Sequence, residues 1–87
     1  MTSKTILDLD LRRILSKIEK RYGVKLPRNV QAVDYGEHGD LYIRFRHAEK
    51  PIGEPTEDGL AILFHDERGN SQAVAVEILD LTGLMSD

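Results

Sequence analysis

The 87-residue sequence predicts an α+β fold, with an N-terminal helix packed on one face of a four-stranded antiparallel meander sheet. Three observations predict it. Apolar residues recur every three or four positions in the first quarter of the chain. Beyond residue 30 they recur every second position, in short segments. The breaks between those segments carry glycine, as hairpin turns do.

The helix spans Thr5 to Arg21. Leu7, Leu11, Ile14, Leu15, Ile18 and Tyr22 fall on one stripe, and only Leu9 lies off it. Thr5 with Asp8 resembles a capping box, and Asp8 four residues before Arg12 adds a small pairing. Asp8 and Asp10 suit the positive end of the helix dipole, Lys20 and Arg21 the negative end. Gly23 supplies the left-handed stop and Pro27 prevents continuation.

Four strands follow. Val30–Tyr35 is short. Asp40–Arg46 sets Leu41, Ile43 and Phe45 against Tyr42, Arg44 and Arg46. Leu60–His65 sets Leu60, Ile62 and Phe64 against Ala61, Leu63 and His65. Ala73–Leu79 sets Val74, Val76 and Ile78 against Ala73, Ala75 and Glu77. The first-named set of each forms a large apolar face that the helix stripe is expected to cover, because a lone sheet must bury one side. The second sets form a mixed face. Gly36–Gly39 and Glu67–Asn70 are tight turns, the second with Gly69 free for positive φ. The stretch Ala48–Gly59, with Pro51, Gly53, Pro55 and Gly59, reads as a long mobile loop.

Size and composition restrict the chemistry. A chain of this length forms one core, so residues 1–87 are expected to be a single domain: helix and connection over 1–28, sheet over 29–80, tail over 81–87. There is no cysteine, which excludes disulfides, thiolate metal sites and thiol catalysis. At 40% hydrophobic and 31% charged residues the composition is globular. With no signal-peptide pattern and no membrane-length apolar run, a soluble, cytoplasmic protein without a membrane partner is expected. The net charge of −3 divides unevenly. Residues 1–28 carry eight bases and three acids, the remainder four bases and twelve acids. Such a basic end on an acidic body steers partners or holds the helix on the sheet.

The strand region carries V-D-Y-G-E-H-G-D-L-Y-I-R-F (33–45), I-L-F-H-D-E-R-G (62–69) and V-A-V-E-I-L-D (74–80). Over about residues 33–80 it resembles the small bacterial and archaeal family called domain of unknown function 2283. Tyr35, Asp40, Leu41, Tyr42, Ile43, Asp66, Gly69, Glu77, Ile78, Leu79 and Asp80 stand at pattern positions. Gly36 stands where the family usually has Asp, and Ala75 where it usually has Gly. The resemblance implies no activity. Some members look like antitoxin-type partners of small toxin-like proteins, which points to binding.

Candidate catalytic groups do not assemble in the sequence. His38, His47 and His65 lie near carboxylates, but the spacing imposes no ligand geometry, so they read as surface residues and no metal or cofactor is expected. Asp40 and Asp66 read as turn acceptors, and Glu77 as a cross-strand partner for Arg44 or Arg46. Ser3, Ser16, Ser71 and Ser86 have no nucleophile elbow, and no phosphate-binding glycine loop occurs. With no catalytic residue identified, the chain is expected not to be an enzyme. Two binding surfaces compete. The mixed face, with Tyr42, Arg44, Arg46, Ala61, Leu63, Ala73, Ala75 and Glu77, suits a protein partner or a homodimer, unless the tail (Leu81, Leu84, Met85) folds over it. Arg13, Lys17 and Lys20 form a basic helix stripe that suits nucleic acid, although the acidic remainder opposes a polyanion.

Overall fold

The computed structural model describes residues 3–67 and 72–86, with side chains from residue 11 onward. The Thr5–Asp8 cap, the Asp8–Arg12 pair, Leu7, Leu9, Asp10 and Gly69 of the last turn therefore lie outside the described side chains. Helix α1 (Ser3–Tyr22) begins two residues before Thr5. It ends where Gly23, at φ 66°, donates its N–H to the Glu19 carbonyl at 2.9 Å. The Glu19 carboxylate then accepts the Leu26 N–H at 2.8 Å. That bond turns the chain back so that Leu26 enters the core.

Five strands follow: β1 (Ala32–Tyr35), β2 (Leu41–Arg44), β3 (Pro51–Pro55), β4 (Ala61–Asp66) and β5 (Ala73–Ile78). They form one antiparallel sheet in the order β1-β2-β5-β4-β3. A short helix α2 (Leu81–Met85) closes the chain. The α+β class, with a helix on an antiparallel sheet, stands. The strand count is five rather than four, because the supposed loop contains β3. The chain also departs from a simple meander after β2, and β5 returns to fill the place between β2 and β4.

The core lies between α1, α2 and the inner face of the sheet. Leu11, Ile14 and Ile18 from α1 join Leu41, Ile43 and Phe45, together with Val76, Ile78 and Leu84. Ile18, Ile43, Val76, Ile78 and Leu84 are fully buried. Each such side chain contributes roughly 1.5–3 kcal/mol of hydrophobic stabilisation.

Register corrects the expected facing of β4. Ala61 stands opposite Ile78 and Leu63 opposite Val76, so both point inward, under the helix. Ile62 and Phe64 point outward. The sequence cannot rank these two sets, because both are apolar. What decides is the fit: small Ala61 and Leu63 are buried beneath the helix layer. A bulge corrects Ala73 as well. Phe64 pairs with Ala75 but His65 with Ala73, so Val74 is an extra residue. The bulge reverses the alternation, and Ala73 joins the inner core while Val74 does not.

The tail does not cover the mixed face. Asp80 caps α2, its side chain accepting the Gly83 N–H at 3.0 Å. The turn seats Leu84 in the core beside α1. No helix among the described residues is long and apolar enough to cross a membrane.

Candidate functional site

The outer face of the sheet is the surface the fold leaves without a covering element. Its first row across the strands is Asp34, Tyr42, Glu77, Ile62 and Pro55. The second is Ala32, Arg44, Ala75, Phe64 and Gly53. Antiparallel register fixes both rows, since directly opposed residues share a face.

Small residues in the second row let the aromatic rings spread. Ala75 lies between Arg44 and Phe64, and the Phe64 ring reaches over it to meet Tyr42 edge to face, with centroids 5.9 Å apart at 70°. Such a pair contributes about 0.5–1.5 kcal/mol beyond its burial. On the other side Phe64 lies against Gly53, where an added Cβ would sit 2.8 Å from the ring. The Phe64 side chain thus bridges three strands.

Charges bracket this apolar centre. At one end the Asp40 carboxyl approaches Glu77 and raises its pKa, with burial adding to the effect. Asp40 also folds over Gly36, and a side chain at Gly36 would collide with it. At the other end Arg44 donates its Nε–H to Gln31 at 3.0 Å. Arg46 Nη1 lies 3.5 Å from Asp66, while its Nη2 is buried without a hydrogen-bond partner.

Of the residues expected on the mixed face, the structure brings together Tyr42, Arg44, Ala75 and Glu77, with Arg46 at the border. Ala61, Leu63 and Ala73 are removed from it by the facing and the bulge described above. Glu77 meets Asp40 rather than an arginine, and Asp66 meets Arg46 rather than serving only its turn. Sequence reasoning missed Ile62, Phe64 and Gly53. The signal for Gly53 was present, since a glycine in a strand often marks close approach of another group.

A second cluster ties the helix to the β3–β4 turn. Asp58 accepts hydrogen bonds from Arg21 Nε at 2.9 Å, Tyr22 Oη at 3.0 Å, Thr56 Oγ1 at 2.7 Å and the Leu60 N–H at 3.1 Å. The Thr56 hydroxyl leads these donors in holding the carboxyl far below the ordinary carboxylate range. The T-E-D-G sequence (56–59), with Gly59 at φ 75°, was the available signal. Beside the cluster is an open hollow of about 590 Å³, whose wall includes Arg21, Tyr22 and Glu54.

The remaining candidates stay apart. His38 and His47 are exposed, and His65 and Asp66 are adjacent strand residues on opposite faces. No group of three or more His, Cys, Asp or Glu residues gathers among the described residues in a way that could hold a metal. Arg13 and Lys20 are exposed and Lys17 is half-buried. With Arg12, Ser16 and Met85 they border a shallow depression of about 450 Å³.

No family model, curated protein or solved structure matches the chain.

Proposed function

We propose that the chain is a non-enzymatic, cytoplasmic interaction module that docks a protein partner on the outer face of its sheet. The observation that carries this reading is the half-buried Tyr42–Phe64 pair, set beside Ile62 and over the buried Ala75 on the sheet face opposite the helices. Both helices pack on the opposite side, and Tyr42, Ile62 and Phe64 keep part of their surface exposed. An apolar centre with a charged border is the usual anatomy of a protein-binding patch. The resemblance to domain of unknown function 2283 supports binding over catalysis and extends to an antitoxin-like role.

The basic face of α1 supports a second reading, in which Arg13, Lys17 and Lys20 contact nucleic acid. The depression they border has cations on several sides. The acidic remainder of the chain works against a polyanion, so this reading ranks behind the first.

Photo-crosslinking in cells separates the two. A benzoylphenylalanine replacing Ile62 is expected to form a protein adduct, and one replacing Arg13 is not. Adducts from position 13 alone, with nucleic acid attached, would reverse the order.

A further inference from the structure

We infer that the partner seated on the outer face is a second copy of this chain, docked face to face about a two-fold axis that crosses the strands. This rests on the docking role proposed for that face and specifies its occupant.

Charge selects the occupant. Along β2 and β5 the face changes sign from end to end. Asp40 and Glu77 crowd one end, and among the described residues neither carboxyl has an ion-pair partner. Arg44 and Arg46 occupy the other. Among the described residues Arg44 has no carboxylate partner, and its Nε–H bonds the Gln31 amide oxygen. Arg46 has one long ion pair, to Asp66. Beyond that pair, Arg44 leaves one end with excess positive charge and the two carboxyls leave the other with excess negative charge.

Symmetry then selects the arrangement. A two-fold axis parallel to the strands would lay Glu77 over Glu77 of the second copy, which like charges disfavour. An axis across the strands reverses strand direction instead. It places the Tyr42–Glu77–Ile62 row over the Arg44–Ala75–Phe64 row of the second copy. Ile62 then packs on Phe64, and Glu77 and Asp40 come within reach of Arg44 and Arg46. Every contact is made twice, as an isologous interface requires. The face spans five strands at ~4.8 Å spacing and strands of up to about 20 Å, so its flat area is near 500 Å². That lies below the ~800 Å² per partner of a standard stable interface. The dimer is accordingly weak, with dissociation in the micromolar range or above.

Sedimentation equilibrium of the full chain at micromolar to millimolar concentration tests this, with circular dichroism confirming that each variant folds. The expected result is a monomer–dimer equilibrium that weakens with salt. Arg44→Glu and Glu77→Arg should each weaken it by about tenfold or more. The double swap R44E/E77R should restore most of the affinity, a recovery that misfolding cannot produce. A dimer indifferent to both single swaps overturns the inference. So does a strict monomer. In that case an Ile62 crosslink to a different protein leaves the docking face standing, and no crosslink at Ile62 removes that reading as well.

Discussion

Two carboxylates respond to pH in opposite senses, and each reports a different part of the fold. Asp58 is held ionised by the Thr56 hydroxyl first, then by Arg21, the Leu60 N–H and Tyr22. A carboxyl depressed in the folded state stabilises the fold above its unfolded pKa and loses that contribution as pH falls through the folded value. The Asp58 contribution is therefore complete at neutral pH and fades below about pH 4. Asp58→Asn should melt at a lower temperature than the parent at pH 7, and the gap should narrow in acid. Thermal melts followed by circular dichroism over that range check it. Glu77 has the opposite sign. Its pKa is raised by the neighbouring Asp40, with burial second. Its favourable contribution is present below the ordinary carboxylate pKa and is lost as pH rises through the elevated folded value. Glu77→Gln should consequently raise the melting temperature at pH 7, measured at dilution where the chain is monomeric. No such gain is expected at pH 3.

The short terminal helix is a structural element rather than a loose tail. Leu84 is fully buried, and Asp80 fixes the first turn that aims it inward. Leu84→Ala should cost about 2–5 kcal/mol in urea unfolding, the range for truncating a buried leucine. Removing the half-buried Met85 side chain should cost less. The legibility of each element followed from how well its pattern discriminated. α1 was readable because Leu11, Ile14 and Ile18 recur at helical spacing amid charge. β2 was readable because Tyr42 and Arg44 alternate with Leu41 and Ile43. β4 was readable as a strand but not in facing, since Ile62 and Phe64 are as apolar as Ala61 and Leu63. β5 was readable except at Val74, where one inserted residue undoes the alternation and sends Ala73 inward. β3 was hidden because P-I-G-E-P has the composition of a loop. The outer face was accordingly half legible: its charges and Tyr42 were found, and its apolar centre depended on the facing of β4. The Asp58 cluster joins residues 37 apart in sequence, and only the tertiary fold brings Arg21 to it.

The prolines that concealed β3 also govern how this sheet meets its neighbours. A sheet has two edges as well as two faces, and an open edge recruits strands from other chains. The Thr56 N–H bonds to Ala61 at 2.9 Å, so the even-numbered residues of β3 direct their N–H groups toward β4. Pro51, Gly53 and Pro55 therefore occupy the outward-directed positions. Two of the three donors that the edge would offer are missing, and proline is tolerated there because β4 never needed them. At the opposite edge the Gly36 N–H bonds to Asp40 at 2.8 Å, which leaves Val33 and Tyr35 directed outward from a strand of only four residues. One edge is blocked and the other is short, which leaves the outer face as the surface on which the proposed two-copy association would form. Replacing both prolines, P51T/P55T, should leave the core intact, because neither side chain belongs to it. It should open β3 to edge pairing. The expected outcome by light scattering is species larger than a dimer, growing with concentration and insensitive to R44E. If the double variant assembles no further than the parent, the prolines are not what guards that edge.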